Sequence, residues 1–490
     1  MKSFLLVIAS LLSLVVYAQS TKMYDIVLAG GRVIDPETKL DAIRNVGIID
    51  NRIAQISTET LKGKEVIDVK GLVVAPGFID PHVHGLSNVE QEYQLYDGVT
   101  TALELESGVP YLDTWYKSRQ SKAMINYGAS VSWGFTRFLT FDEFKNDRVI
   151  LKNGIENGSD KTDNAYIISQ VVGKSLSEEQ SKTMLSNIKS ELDAGGIGIG
   201  VPIGYFPGAK TEEVYRVYQL AAQQQTTIIS HVREPNLTAI QQAISDAVLT
   251  GAPLHIVHLN SMALGQINLG IEMVQAAQKK GFEITTEVYP YTAASTRLQS
   301  NIFSDGWKER LSIDYHDLQW VDTGERLTKE TFEKYRKTWG VVIIHMMKPE
   351  WLKSGVAAEG VMIGSDGMLY AQLAHPRTAG TFARVLGKYV REDKVLDLPT
   401  AISKMTFMTA KMLEKSAPMM RFKGRIQVGA DADITVFNPE TVTDKATFEE
   451  GLKFSEGIEY VIVNGTVVLK KGKTVADIFP GQAVYGKYKK

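Results

Sequence analysis

Cysteine is absent from all 490 residues, which excludes disulfides, thiolate metal ligands and a cysteine nucleophile together. Any metal must be held by histidine, carboxylate or water. Histidine is itself scarce, at eight residues, so each can be weighed singly. Excess charge of one sign is also missing: 54 Lys and Arg stand against 56 Asp and Glu, a formal net charge of −2. That balance gives no argument for nucleic acid or an anionic membrane surface, and leaves small molecules as the default partner. The chain also lacks internal repeats, low-complexity tracts and Pro/Ser-rich linkers.

A long apolar run occurs at the start, in "MKSFLLVIASLLSLVVYAQSTK". One Lys, apolar residues from Phe4 to about Tyr17 and then small polar residues make the pattern of a secretory signal peptide over 1–18. Val16 and Ala18 occupy the small-residue positions, which predicts cleavage after Ala18 and a periplasmic or secreted protein. The run is shorter than the ~20 residues a membrane span needs, and no cysteine follows it to carry a lipid. No membrane association is expected after cleavage.

Residues 24–75 read as short strands, "YDIVLAGGRVID", "VGIIDNRIAQIS" and "KEVIDVKGLVVAP", alternating apolar and polar positions around Gly and Asn turns. The same texture returns over 421–490 in "GRIQVGADADITVFNP" and "IEYVIVNGTVVLKKGK". Neither stretch has enough apolar positions to stand alone, so the two ends are expected to pair into one small β-sandwich domain. Between them, over 76–420, apolar strands ("TTALELE", "ASVSWG", "IGIGVP", "TIISHV", "LHIVHLN", "EITTEVYPY", "VVIIHM", "VMIGSDG") alternate with amphipathic helices such as "LTAIQQAISDAVLTG". Strand then helix over this length predicts an α/β chain with a closed (β/α)8 TIM-type barrel.

The chemistry sits at strand ends. In "APGFIDPHVHG", alternation along a first strand turns Asp80, His82 and His84 to one side, and two imidazoles at that spacing can chelate one ion. Read alone, HxH is equally two histidines satisfied by neighbours. His231 ends "TIISH", His258 follows "LHIV" and Asp366 ends "VMIGSD", so nitrogen donors and a carboxylate recur where a barrel keeps its site. Glu104 and Glu106 in "TTALELES" both offer a further oxygen ligand; Glu106 is preferred as the nearer to the strand's end. His255 reads as structural, His316 has no strand-end context, and His345 is a candidate for the pocket wall. Arg377 in "HPRTAGTFAR" presents a fork suited to a carboxylate, and Tyr289 beside Pro290 a phenol suited to an oxyanion.

Taken together, "LVVAPGFIDPHVHG", "DGVTTALELESGV", "GIGIGVPIGYFPGAKTEEVY", "ISHVR", "HIVHLNS", "TTEVYPYTAAST", "LQWVDTGERL", "HPRTAGTFARVL" and "KGRIQVGADADITVFNPETVTD" resemble the amidohydrolase superfamily. Within it they are most similar to the N-acyl-D-amino-acid deacylases, the D-glutamate deacylase branch in particular. The resemblance implies Zn2+, one or two ions, held by His82, His84, Glu106, His231, His258 and Asp366. It implies Asp366 as proton carrier, Arg377 as receiver of the substrate's α-carboxylate, and Tyr289 beside the scissile carbonyl. The implied substrate is an N-acyl-D-amino acid, N-acyl-D-glutamate among them.

Two positions depart from that pattern. Ser107 falls where many relatives have a cysteine ligand, and Asn260 where a lysine often helps to hold the carboxylate, which shifts that task toward Arg377 with Arg233 or Arg297. Two enzymatic alternatives on the same barrel are a cyclic amidase of the hydantoinase or dihydroorotase kind and an isoaspartyl-type dipeptidase. Those sites commonly bridge their ions with a carboxylated lysine, and "GGIGIGVPIGY" offers none. An alternative of another class is a non-catalytic barrel scaffold. Oligomeric state, a homo-oligomer included, is left open.

Overall fold

A computed structural model describes residues 22–158, 167–369 and 373–489; the expected signal peptide at 1–18 lies outside the described residues. Five strands open the chain: β1 (Met23–Asp35), β2 (Leu40–Ile49), β3 (Arg52–Ser57), β4 (Lys62–Asp68) and β5 (Val73–Pro76). Seven strands of a parallel sheet follow: β6 (Phe78–Asp80), β7 (Val99–Val109), β8 (Asn126–Ser132), β9 (Gly198–Pro202), β10 (Thr227–His231), β11 (Leu254–Ile256) and β12 (Ile284–Val288). An insertion carries β13 (Ala294–Arg297), β14 (Leu318–Trp320) and β15 (Val341–Ile344) before the eighth parallel strand, β16 (Val361–Ile363). The chain ends with β17 (Ile434–Phe437), β18 (Ile458–Val463), β19 (Thr466–Lys470) and β20 (Lys473–Thr474).

The eight parallel strands run in chain order from β6 to β16, with helices between most of them. One such helix, Leu237–Thr250, starts where the Asn236 side chain accepts from the Ala239 amide and stops at Gly251, φ 78°, the left-handed position that favours glycine. Ile79, Leu103, Leu105 and Ile229 pack together with Ala410, Leu413, Met420 and Val484 in one apolar cluster. Since β6 and β10 stand four places apart in a ring of eight, that cluster lies on the barrel axis. The ring closes without a ladder between β16 and β6. A bridge between Val83 and Gly367, with the Asp366 amide on the His82 carbonyl at 2.8 Å and the His84 amide on the Gly367 carbonyl at 2.8 Å, joins the seam at the strands' C-terminal ends.

Both ends of the chain build a separate nine-stranded sheet in the order β20-β19-β18-β17-β5-β1-β2-β3, with β4 on the free half of β1. Its own core gathers Ile26, Leu28, Val46, Ile48, Ile434, Val436 and Ile462 from both ends. The last residues leave that sheet. The Tyr127 amide donates to the Gln482 carbonyl at 3.1 Å and the Val484 amide to the Tyr127 carbonyl at 2.7 Å, so the tail runs along the start of β8 and plugs the barrel base with Val484.

One strand assignment is corrected. "VVIIHM" is not a barrel strand: β15 is the middle strand of the three-stranded antiparallel sheet β13-β15-β14, where Val342 and Ile344 pack on a local core with Phe303, Trp307 and Trp320. A four-residue apolar run reads alike whether helices or a small sheet cover it. His345 follows it to Gln319, Nε2 to Oε1 3.0 Å, and meets the Phe448 ring edge-on, away from the cavity lining described below.

Replacing Val484 with Ala removes packing from both the base and the tail, and the expected loss is about 2 kcal/mol. Thermal unfolding should show a lowered midpoint while zinc content stays unchanged.

Candidate metal centre

The donors converge on one carboxylate. Glu106 Oε1 lies 2.7 Å from His231 Nδ1 and 3.2 Å from His258 Nε2, and Oε2 lies 3.0 Å from His84 Nε2 and 3.5 Å from His82 Nε2. Asp366 Oδ1 stands 3.3 Å and 3.6 Å from the same two nitrogens of His84 and His82. Three overlapping triads result, His82-His84-Glu106, Glu106-His231-His258 and His82-His258-Asp366, each with its ligand atoms within 4.8 Å of one another. Such separations are the edges of a polyhedron built with bonds of about 2.0–2.2 Å, and an all-N/O donor set suits zinc.

Local backbone explains how each side chain arrives. β6 ends at Asp80, so His82 and His84 lie beyond the regular strand, and the expected alternation of Asp80 with them does not hold. Asp80 turns instead to the His82 amide at 3.1 Å and the Ser365 amide at 3.0 Å, stitching the seam. His258 and Asp366 have φ of 33° and 52°, a left-handed backbone uncommon for non-glycine residues and concentrated at functional sites. Glu106 falls in the stretch where the β7–β8 register shifts between Glu104 and Val109, and such irregularities re-aim side chains.

Glu104 is one layer out. Its Oε2 accepts from His84 Nδ1 at 3.1 Å and its Oε1 from the Ser107 amide at 3.2 Å. A second carboxylate does the same for His82: Glu287, on β12, accepts from His82 Nδ1 at 2.5 Å and from His255 Nε2 at 3.1 Å. Each leaves the opposite ring nitrogen facing the donors. Sequence reasoning missed Glu287. Its sole signal was an acid inside the apolar strand of "TTEVYPY". His255 is confined to this outer layer, with Thr285 on its other nitrogen at 2.9 Å.

Electrostatics favour a cation. Burial opposes protonation of His82, but Asp366, Glu287 and Glu106 outweigh it and push its pKa up to about 10. His84 is raised for the same kind of reason by Glu104, Asp366 and Glu106. Glu287, despite burial, is drawn down to about 2 by His82 and His255, and Asp366 is lowered against its burial by Arg377 and His82. A cluster that holds protons so firmly holds a divalent ion in their place.

Arg377 and Tyr289 form the back wall. The Arg377 guanidinium contacts Asp366 Oδ2 at 2.9 Å and lies over the Tyr289 ring at 4.6 Å, its side chain 1% exposed. It lies behind Asp366 and Tyr289, outside the cavity lining. Tyr289 reaches the cavity, its buried hydroxyl beside Ser261 and Arg377. Asn260 is turned away, its amide donating to the Tyr289 carbonyl at 3.2 Å. Above the donors opens a cavity of about 1160 Å³ whose wall includes Arg233, Arg297 and Arg336.

The family model described as "Amidohydrolase family" matches residues 65–143 and 347–469. A D-aminoacylase of Alcaligenes xylosoxydans xylosoxydans is 28% identical over 91% of this chain and 94% of its own length. An N-acyl-D-glutamate deacylase of the same organism is 27% identical over 91% and 93%. Among solved structures, an N-acyl-D-glutamate deacylase from Bordetella bronchiseptica, complexed with zinc and a phosphonate mimic of the tetrahedral intermediate, superposes with a TM-score of 0.80 at 24% identity, covering 95% of this chain and all of that one.

Glu287→Gln should lower affinity for the ion at His82 and His84 roughly 10–100-fold, read by competition with a chromophoric chelator; an unchanged affinity would reduce Glu287 to packing. Because His82 carries a proton at neutral pH, zinc binding should release protons and strengthen as pH rises. Calorimetry in buffers of differing ionisation enthalpy measures that release.

Proposed function

We propose that this chain, which the amidohydrolase family model matches over residues 65–143 and 347–469, hydrolyses the amide bond of N-acyl-D-amino acids to a carboxylate and the free D-amino acid. The carrying observation is the Glu106-centred donor set on the cavity floor, with Asp366 set between it and Arg377. Similarity to a D-aminoacylase and an N-acyl-D-glutamate deacylase over nine-tenths of the chain supports this reading. β9 offers no lysine for a carbamate, and Glu106 instead turns one oxygen to His231 and His258 and the other to His82 and His84, which favours the linear amide over the cyclic one.

His82, His84, Glu106, His231 and His258 would hold one or two zinc ions. When bound, zinc acidifies water and stabilises charge on a carbonyl oxygen. The protein's own groups do the rest. Asp366, kept ionised by Arg377, takes a proton from the attacking water at its carboxylate and delivers one to the leaving nitrogen. Burial raises the Tyr289 phenol, so it stays protonated and donates toward the carbonyl oxygen as negative charge grows there. We place the α-carboxylate on a wall guanidinium, Arg297 or Arg233, and give Arg377 the task of holding Asp366. The sequence expectation that the enzyme acts in the periplasm or outside the cell is retained on the N-terminal apolar run.

Asp366→Asn should keep zinc content near normal and lower kcat by roughly 10²–10⁴ in an amine-release assay on N-acetyl-D-amino acids, with the L forms inert. Equal turnover of L forms, or of hydantoins alone, would overturn the reading. Arg377→Lys separates the two roles of that arginine: a kcat loss of about tenfold or more with little change in KM is expected from a residue acting through Asp366. A rise in KM alone returns the carboxylate to Arg377.

A further inference from the structure

The segment that carries Tyr289 is held by its backbone. The Val288 carbonyl, at the end of β12, accepts from the Gly364 amide at 3.3 Å. The two buried carbonyls that follow turn to side chains, and Pro290 has no N–H with which to continue a ladder. Asn260 Nδ2 donates to the Tyr289 carbonyl at 3.2 Å. Arg384 Nε donates to the Pro290 carbonyl at 2.8 Å and is joined there by the Tyr389 hydroxyl at 3.3 Å. None of these three side chains lines the cavity.

Arg384 ends the helix that Arg377 begins, and the two arginines treat the tyrosines on either side of Pro290 alike. Arg377 lies over the Tyr289 ring at 4.6 Å and pairs with Asp366 at 2.9 Å. Arg384 lies over the Tyr291 ring at 4.6 Å and pairs with Asp444 Oδ2 at 2.8 Å. The Tyr291 hydroxyl donates to the same Asp444 oxygen at 3.1 Å. Gly380 permits this approach, since a Cβ there would meet Asp444 Cβ at 2.6 Å and the Tyr291 hydroxyl at 2.9 Å. Asp444 comes from the connection between β17 and β18, so a loop of the terminal sheet reaches the segment behind the cavity.

We infer that Asn260 and Arg384, the latter fixed by Asp444, are positioning residues for Tyr289. Held at two successive carbonyls, the backbone of the tyrosine cannot shift, and its hydroxyl stays where the carbonyl oxygen of the scissile amide gains charge. This rests on the deacylase reading above and on the donor role given there to Tyr289, and adds the residues that aim that donor. A donor stabilises an oxyanion only within about 2.7–3.1 Å, and a misplacement of about 1 Å costs on the order of a hundredfold. Groups that touch no substrate therefore carry part of the rate by holding the one that does. At Asn260 the amide serves the backbone, where the family resemblance places a lysine that helps to hold the substrate.

The test is a double-mutant cycle on the zinc-loaded enzyme, with N-acetyl-D-glutamate and N-acetyl-D-leucine as substrates and kcat expressed per bound zinc. Asn260→Leu keeps the volume and Arg384→Lys keeps the charge beside Asp444; each is measured alone and combined with Tyr289→Phe. Tyr289→Phe should lower kcat about 10²–10³-fold. Each positioning variant alone should lower kcat at least about fivefold with KM changed less than about twofold. In the Tyr289→Phe background each should cost less than about twofold, because no hydroxyl is left to misplace. For either residue, an equal loss in both backgrounds, or no loss in the native one, overturns its assignment and leaves the deacylase reading standing. An unchanged kcat in Tyr289→Phe removes the donor role and this inference with it. Failure of the parent enzyme on both D compounds removes the deacylase reading as well.

Discussion

The Glu106 carboxylate, one oxygen toward His231 and His258 and the other toward His82 and His84, is the contact on which the rest of the site depends. Four imidazoles from three separate parts of the barrel can share one anion only if the strand ends hold them within a few tenths of an ångström. The barrel supplies that precision through its seam, where Asp80, His82, Ser365, Asp366 and Gly367 exchange backbone and side-chain hydrogen bonds. Closure of the ring and assembly of the donors are therefore one event. Glu104 and Glu287 then fix which nitrogen of His84 and of His82 faces inward, so a set of carboxylates costly to bury is compensated by rings and by the cation they jointly attract.

Arg377, Asp366 and Tyr289 form a second coupled unit. The guanidinium keeps Asp366 ionised and covers the Tyr289 ring, so one buried cation acts on both the carboxylate and the phenol.

Much of this was legible in the sequence, because candidate metal ligands at strand ends leave short apolar runs closed by His or Asp, and four barrel strands end so. The paired sheet ends were legible because neither could bury its apolar face alone. Other features were not. Glu104 and Glu106 cannot be separated by alternation when a register shift intervenes. Asp80 was grouped with His82 because a strand's last regular residue leaves no mark. Glu287 looks like any polar residue in a strand until His82 is placed against it from across 205 positions of chain. Arg377 has the same sequence whether it faces solvent, substrate or Asp366, since depth is a tertiary property. The strand "VVIIH" was misplaced because its covering layer, the insertion itself, carries no periodic signature.

That insertion has a core of its own, with Phe303, Trp307, Trp320, Phe332 and Val342 packed apart from the barrel's clusters, while its rim supplies Arg297, Arg336 and Trp339 to the cavity. Stability and selectivity are thereby kept in different accounts of the molecule. On the proposed placement of the α-carboxylate, substitutions that retune which amino acid is admitted fall on a small module with a core of its own. Divergence among descendants of such a chain can proceed by rewriting that module, while the seam and its ligands are inherited unchanged.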